Sequence, residues 1–589
     1  MSLPPTEPHQ GPQTVPSHVR APTIKDRAVS AAKTVVLHVK KHVGVGIICS
    51  VAYFDPGNWS VDLQAGSSFG YRPMLFVILM AGLGAIVLQT LACKLGCVTG
   101  LDLASHCRLL LHDHPRHPRL VRRLVLYPLY VLAEIAIIST DLAELLGSAI
   151  GFCLIFPKLP LWAGVVLTAA DVLVFLFFSD PSRGNGRPVR MFEFAIIGLV
   201  FSVFACFIAL LVKASPDWSQ VFMGYIPNKG LIQSQPDAVY AAVGILGATV
   251  MPHALFLGSS LAALDRVSLA PVTEPALPGP AGRRPGLWTR VKQYITPLFA
   301  VSRAERVAAS RDYRTKYGDR ENNSLSFIRQ HLSHGIVDVI TSLLALAVPI
   351  NSAILILAAA VFFDGPGQHR NTPAGLFEAH DLINERLGKA AAFVFALALL
   401  CAGQTSSITV TLAGQIVSEG FIEWRVSPFF RRLITRCISL VPSVVVAVAV
   451  GKEGINTLLV ASQVVLSIVL PFVAFPLIYL TSRTVVMRVR KPVPALVETE
   501  TDETSIQDLP HDRICTEVEY TDGAPIALAM PVEEKITGQK VETSSVEMAK
   551  DYIDFSNSRW LACLSYVVWC VVLVANAYAI VMLLMRSNN

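Results

Sequence analysis

The chain has 589 residues, of which 53% are hydrophobic and only 16% are charged, and its mean hydropathy is +0.52. This composition excludes an ordinary soluble domain and favours a polytopic membrane protein. The formal net charge of +6 does not indicate nucleic-acid binding, because the basic residues gather in short loops beside apolar segments, where they set orientation in a membrane. The cysteines are scattered without a CxxC pair, so the sequence predicts neither a disulfide framework nor a zinc site.

Eleven apolar segments are long enough to cross a bilayer, which takes about 20 helical residues. They lie at 43–69, 73–98, 125–147, 161–178, 191–213, 238–262, 334–362, 389–417, 433–451, 455–481 and 559–585. The pattern predicts an all-α membrane protein with eleven transmembrane helices.

Basic residues flank the loops that are internal if the N-terminus is cytoplasmic, such as 99–124 and 179–190. We therefore predict a multi-pass protein of the plasma membrane or of an endosomal or vacuolar membrane, with an external C-terminus. The predicted parts are a cytoplasmic segment 1–42, spans one to six at 43–262, a cytoplasmic loop 263–333, spans seven to ten at 334–481, an acidic cytoplasmic loop 482–558, and span eleven with the C-terminus at 559–589. Both loops are predicted to be largely disordered, and they fit either binding sites for regulatory adaptors or plain spacers.

The first span contains the stretch AYFDPGNWS, residues 52–60. A charged side chain at the bilayer centre costs roughly 2.5–3.5 kcal/mol, so Asp55 marks a functional site. Pro56 has no N–H and disfavours helical geometry at Asp55, so the helix is predicted to open there. Irregular backbone at membrane depth is tolerated where it lines a polar cavity.

The sixth span contains a second break, in GILGATVMPHALFLGSS, where Pro252 cannot donate to the carbonyl of Ala248. Spans one and six are five apart, and broken helices at matching positions in two halves indicate an inverted-repeat transporter with its site at the midplane. The eleven predicted spans fit that pattern as two halves of five spans each, followed by one appended span.

The chemistry at the two breaks indicates a transition-metal site. Asp55 offers an anionic oxygen, Asn58 a neutral oxygen, Ala248 a backbone oxygen and Met251 a thioether. Magnesium and calcium prefer shells of oxygen alone, whereas Mn²⁺, Fe²⁺ and Co²⁺ accept sulfur. A buried methionine that only fills a gap in the core is the alternative for Met251.

The strings DPGNW, MPHALFLGSS, AGQTSSITVTLAGQ and SQVVLSIVLPF strongly resemble the Nramp family of proton-coupled divalent metal transporters, most of all its fungal branch. The resemblance covers roughly residues 35–482 and the last span. It implies the LeuT-like fold, a 5+5 inverted repeat with broken helices 1 and 6. It also implies that Asp55, Asn58, Met251 and the Ala248 carbonyl bind the metal, with Gln463 joining in some states. Two positions depart from many relatives: Ala254 replaces an asparagine, and Gly258 replaces a second histidine, which puts a histidine-assisted inner proton route in doubt.

The third span carries Glu134, Asp141 and Glu144 on one helical face: Glu134 and Asp141 nearly superimpose, and Glu144 lies about 60 degrees from Asp141. These carboxylates could form ion pairs with Arg436 of the ninth span in a purely structural role, or they could relay protons from Asp55 to the cytoplasm. The Nramp resemblance places Asp141, Glu144 and Arg436 in such a path, and Glu134 could instead only brace helices. His253 lies deep in the sixth span, where its titration range suits proton handling.

These observations predict a proton-driven importer of divalent transition metal, Mn²⁺ foremost and Fe²⁺ next, with the metal as substrate, H⁺ as coupling ion, no cofactor and no enzymatic activity. The alternatives are a sodium- or proton-coupled symporter for an organic solute on the same architecture, and a metal sensor that signals without transport.

Overall fold

The computed structural model describes residues 45–178, 187–228, 231, 237–264, 322–363, 374–422, 428–449, 451–491 and 552–587. The predicted N-terminal segment 1–42 and most of both long polar loops lie outside these residues. Helices dominate the described part.

The helices are numbered here in chain order. They are α1 (Val45–Val51), α2 (Pro56–Phe69), α3 (Met74–Thr99), α4 (Leu103–Leu111), α5 (Pro118–Val121), α6 (Tyr127–Ile155), α7 (Leu161–Phe178), α8 (Arg187–Ala214), α9 (Trp218–Gly224), α10 (Asp237–Thr249), α11 (Pro252–Ala262), α12 (Leu325–Ser342), α13 (Val348–Ala358), α14 (Leu376–Leu387), α15 (Lys389–Ile422), α16 (Pro428–Ala449), α17 (Gly451–Thr481), α18 (Thr484–Met487) and α19 (Arg559–Ser587). Three π-helical turns adjoin them, at Arg122–Leu126, Leu343–Ala347 and Ala359–Phe363.

Seven helical stretches in the described ranges are long and apolar enough to cross a membrane. They are Met74–Thr99, Phe194–Ala214, Ala238–Ala262, Leu325–Phe363, Lys389–Ile422, Gly454–Thr481 and Arg559–Met582. Two shorter apolar helices are Leu161–Val174 and Leu433–Ala449. The two remaining predicted segments hold α1 with α2, and α6. The chain is therefore a helical, multi-pass membrane protein.

Both predicted interruptions are present in the structure. Helix α1 ends at Val51 and α2 begins at Pro56, so the first segment opens over 52–55. In the sixth segment α10 ends at Thr249 and α11 begins at Pro252. In each case proline takes the first helical position, where its missing N–H leaves no helical hydrogen bond unmade. The local sequence thus determines where each helix restarts.

Small residues let the interrupted segments pack closely against their neighbours. A Cβ added at Gly147 of α6 would collide with the Pro56 ring, and one at Gly96 of α3 would collide with the Ser259 carbonyl of α11. These contacts bring the third segment against the first break and the second against the sixth. The breaks therefore lie in the interior of the helical assembly.

One element departs from the sequence prediction. Residues 552–554 fall in the acidic loop predicted to be disordered, yet Tyr552–Asp554 forms strand β2, which pairs antiparallel with β1 (Arg488–Arg490). The guanidinium of Arg488 lies 5.0 Å from the centre of the Tyr552 ring, an arrangement that favours a cation–π contact. The pairing partners are far apart in sequence, so local composition could not reveal the strand.

Candidate functional site

The first break presents Asp55 in an extended conformation, with φ −67° and ψ 169°. Its Oδ1 accepts a hydrogen bond of 2.8 Å from the Asn58 N–H and so caps α2. Its other oxygen, Oδ2, has no hydrogen-bond partner although the residue is wholly buried. One carboxylate oxygen therefore caps α2, and the other has no protein partner and is available to a ligand.

The second break presents Met251, also extended, with φ −79° and ψ 128°. The Met251 carbonyl accepts a hydrogen bond of 3.2 Å from the Ala254 N–H, which closes the first turn of α11. Met251 and Ala248 are both fully buried. The thioether lies at the end of an interrupted helix, as the sequence predicts.

Gln463 on α17 lies between the two breaks. A Cβ at Gly57, beside Asp55, would collide with the Gln463 side chain, and a Cβ at Gly247, close to Met251, would collide with the Gln463 backbone oxygen. The structure thus brings Asp55, Asn58 and Gln463 to one place, together with the break that carries Met251. Only glycine at 57 and 247 permits this approach.

The polar atoms at this place lack protein partners. The set without a hydrogen bond comprises Asp55 Oδ2, Asn58 Oδ1 and Nδ2, and Gln463 Oε1, and all three residues are at most 1% exposed. Buried polar groups normally find partners, so a cluster of unpaired ones indicates a place for an ion or ligand. Among the described residues no three His, Cys, Asp or Glu side chains group as a metal site. A metal here would therefore need amide, thioether and backbone ligands besides Asp55.

Two of the three acidic residues of the third segment share one network of basic and hydroxyl partners, whereas Glu134 is hydrogen-bonded to the Tyr130 hydroxyl. Arg436 of α16 donates to Asp141 Oδ1 and to Ser407 Oγ, and Ser406 Oγ donates to Glu144. Asp141, Glu144 and Arg436 are all buried. The ion pair predicted from the sequence is present. Glu134 is only partly buried and lies apart from this network, beside Tyr130.

The acidic helix contacts both breaks. Gly147, close to Glu144 on α6, packs on Pro56 of the first break. Thr140 Oγ1 lies 3.5 Å from Nδ1 of His253, on α11 after the second break, and His253 Nε2 has no hydrogen-bond partner. The helix that carries the buried carboxylates therefore packs against both breaks.

The N-terminal half of the first segment is held by side chains from other helices. Asp338 Oδ2 on α12 accepts a hydrogen bond of 2.7 Å from the Gly46 N–H, and Asn351 Nδ2 on α13 donates one of 2.6 Å to the Tyr53 carbonyl. These bonds satisfy backbone groups that an interrupted helix leaves open. They fix α1 and the break against α12 and α13.

The structure explains the glycine at position 258. Gln89 of α3 accepts a hydrogen bond of 3.1 Å from the Tyr53 hydroxyl and donates one of 3.2 Å to Cys49 Sγ. A Cβ at Gly258 would collide with the Gln89 amide. A neutral amide therefore fills the space that a side chain at 258 would need.

Three polar residues at or near this region were missed by the sequence analysis: Gln89, Asp171 and Asp62. Asp171 on α7 lies near Gln404 and Arg436. Asp62 is buried on α2, one turn beyond Asn58. A search for every acidic residue inside an apolar segment would have found both aspartates, since their cost in a membrane does not depend on a neighbouring proline.

The interrupted helices, the unpaired polar cluster and the buried acidic helix define the class: a multi-pass helical membrane protein with buried, unpaired polar groups at a helix break. Residues 46–494 match the family described as natural resistance-associated macrophage protein-like, or Nramp. The chain belongs to the Nramp family, and the resemblance carried by DPGNW and MPHALFLGSS is confirmed.

Curated relatives cover most of the chain. The iron transporter SMF3 of Saccharomyces cerevisiae is 36% identical over 556 residues, 93% of this chain and 97% of the relative. The manganese transporter pdt1 of Schizosaccharomyces pombe is 40% identical over 450 residues, 76% of each chain. The divalent metal cation transporter MntH of Listeria innocua is 39% identical over 441 residues, 75% of this chain and 81% of the relative.

A solved structure agrees with the fold. The crystal structure of a mutant manganese transporter of Eremococcus coleocola superposes with a TM-score of 0.60 at 26% identity, covering 90% of this chain and 84% of that one. The match supports the helical arrangement around the two breaks.

Proposed function

We propose that this protein is a proton-coupled secondary transporter, not an enzyme, that imports divalent transition metal ions into the cytosol by alternating access. The observation that carries the proposal is the group of unpaired, fully buried polar atoms at the first break, with Met251 on the second. Asp55, Asn58, Met251, the Ala248 carbonyl and Gln463 are the proposed ligands. Their mixture of oxygen and sulfur suits Mn²⁺ and Fe²⁺ better than Ca²⁺ or Mg²⁺.

Mn²⁺ is the foremost proposed substrate and Fe²⁺ the next. The names of the two yeast relatives, an iron transporter and a manganese transporter, support both metals. The ligand set accepts either metal, and the availability of each metal helps to decide which one is carried.

The proposed architecture is eleven spans in a LeuT-like 5+5 inverted repeat, with a cytoplasmic N-terminus, in the plasma membrane or an endosomal or vacuolar membrane. Breaks in segments one and six, each ended by proline, support the repeat. Ligands on both breaks and on α17 would let the two sides of the site open in turn while the metal stays near the midplane.

The proposed proton route begins at Asp55 and continues through the polar region of α6. Asp141 and Glu144 are the proposed carriers, and Arg436 is their counter-charge. His253, beside Thr140, and Glu134, nearer the start of α6, are also proposed as members of the route. The contact of Gly147 with Pro56 supports a connection between carriers and site. At Asp55 itself a proton and a metal ion compete for one carboxylate, which would couple the two fluxes.

Uptake into proteoliposomes tests the proposal. We expect the purified full chain to accumulate Mn²⁺ and Fe²⁺, and to do so faster when the outside is acidic relative to the lumen. A panel of organic solutes is run in the same vesicles with sodium and proton gradients. Accumulation of an organic solute in place of metal would establish the symporter alternative, and metal binding without accumulation would establish a sensor.

A further inference from the structure

Asp62 on α2 is a buried carboxylate that the site described above does not use. It is 2% exposed, and its Oδ2 has no hydrogen-bond partner. It follows Asn58 by one helical turn, which places the two side chains about 5–6 Å apart on the same face of the helix. An ionised carboxylate with an unpaired oxygen is costly in such a place, so the environment of Asp62 Oδ2 favours a cation or a proton there.

Helix α13 is one of the neighbours of α2. The Tyr53 carbonyl, before α2, accepts a hydrogen bond from Asn351 near the start of α13, and a Cβ at Gly66, late in α2, would lie 2.8 Å from Ala358 Cβ at the end of α13. The two helices therefore run in the same direction. Asp62, which precedes Gly66 by one turn, falls level with the first turns of α13.

Those turns carry further buried oxygen atoms. Asn351 Oδ1 makes no hydrogen bond, and the residue is 1% exposed. Ser352 is 3% exposed, and its side chain shares a hydrogen bond with Tyr225. Ser352 lies within about 20 degrees of Ala359 on the helical wheel, and the Ala359 nitrogen is 3.2 Å from the position of a Cβ at Gly66. Ser352 thus lies on the side of α13 that faces α2. The Tyr225 side chain, partly exposed, is next to Ser352.

We propose that Asp62 and Ser352, with Tyr225 and Asn351 beside them, form a second cation site one helical turn from Asn58. Its ligands are oxygen atoms alone, so it takes hard divalent ions such as Ca²⁺ as readily as Mn²⁺. No basic side chain among the described residues forms an ion pair with Asp62. The proposal rests on the proposed transport function: with a cytoplasmic N-terminus this site is on the external side, where it holds an arriving ion before Asp55 and Met251 select it.

Calcium is the probe that separates the two sites, because the thioether site disfavours it. In Mn²⁺ uptake by wild-type proteoliposomes we expect external Ca²⁺ to inhibit competitively. Asp62→Asn is expected to raise the KM for Mn²⁺ about tenfold at nearly unchanged kcat, the result of losing binding that is not specific to the transport step. The same change is expected to raise the Ca²⁺ inhibition constant by a similar factor, and Asp62→Glu to restore both values.

Asp381→Asn is the matched control, since this carboxylate is 73% exposed on α14 and should leave both constants unchanged. Unaltered KM and Ca²⁺ inhibition in Asp62→Asn would overturn the second site and leave Asp62 as a permanently protonated structural group. Equal loss of kcat in the Asn and Glu variants would overturn it as well, since it would place Asp62 in packing.

A direct binding measurement keeps this proposal separate from the transport function. Calorimetric titration of the purified full chain with Ca²⁺ should show a site that persists in Asp55→Asn and disappears in Asp62→Asn. If the wild type moves no metal but this pattern holds, the transport proposal fails and the second site stands. If Mn²⁺ is transported but Ca²⁺ binding does not depend on Asp62, only the second site fails.

Discussion

Met251 is the soft ligand proposed in an otherwise oxygen-based set. Met251→Ala removes the thioether and leaves ligands that calcium prefers. We expect the ratio of Mn²⁺ to Ca²⁺ uptake to fall about tenfold, equivalent to about 1.4 kcal/mol. Uptake of both ions in the same proteoliposomes measures it. Met80→Ala, a change at a 49% exposed methionine, should leave the ratio alone, and full selectivity in Met251→Ala would refute the soft-ligand argument.

Substitutions at two buried carboxylates test the proposed proton route, again at the scale of single residues. Asp141→Asn and Glu144→Gln keep the shape of the side chain but remove the carboxylate that would carry a proton. We expect Mn²⁺ binding measured by calorimetry to remain near the wild-type value, because neither residue is among the proposed ligands. Stimulation of uptake by external acid should decrease in each variant. An unchanged pH dependence in both would eliminate these residues as carriers.

Among the secondary-structure elements, α6 and α16 are joined by the buried ion pair of Asp141 with Arg436, and we expect this pair to affect stability. Removing one partner of such a pair costs about 3–5 kcal/mol, because the other charge stays buried and unpaired. Arg436→Gln should therefore lower the midpoint of thermal unfolding strongly, and adding Asp141→Asn should restore part of the loss. Arg483→Gln, at an exposed arginine over the Tyr479 ring, is the control. A double variant no more stable than Arg436→Gln alone would contradict the pairing argument.

The close packing of α6 against the first break gives a second test at the scale of secondary-structure elements. At Gly147 an added methyl group collides with Pro56, whereas at Gly198 of α8 it meets nothing within 4 Å. Overpacking a close contact costs about 1–3 kcal/mol or forces the elements apart. Gly147→Ala should therefore reduce Mn²⁺ uptake several-fold and Gly198→Ala should not. Equal activity of the two variants would show that the position of α6 relative to Pro56 is unimportant.

At the scale of the whole molecule, an odd number of spans places the two termini on opposite sides of the membrane. We expect an epitope at the N-terminus and one inserted in the loop 263–333 to be protected in sealed cells or vesicles, and an epitope at the C-terminus to be accessible from the other side. Antibody labelling before and after permeabilisation measures this. Labelling of both termini from one side would contradict eleven spans.

The sequence alone determined what depends on covalent chemistry and local geometry. Proline after Asp55 and after Met251 cannot continue a helix, so both breaks and the ligands proposed at them could be located from residue types. Hydropathy predicted the helical segments, and the cost of a charge in lipid identified Asp55, Asp141 and Glu144. The family followed from short motifs at these same positions.

Only the tertiary structure decided how distant segments meet. It placed Gln463 against Gly57 and Gly247, filled the space at Gly258 with Gln89, and packed Gly66 of α2 against the end of α13. It also paired Tyr552–Asp554 with Arg488–Arg490 within a loop predicted to be disordered. Each of these contacts joins residues far apart in the chain, and it depends on the complementary shapes of the two surfaces, which local sequence patterns do not encode.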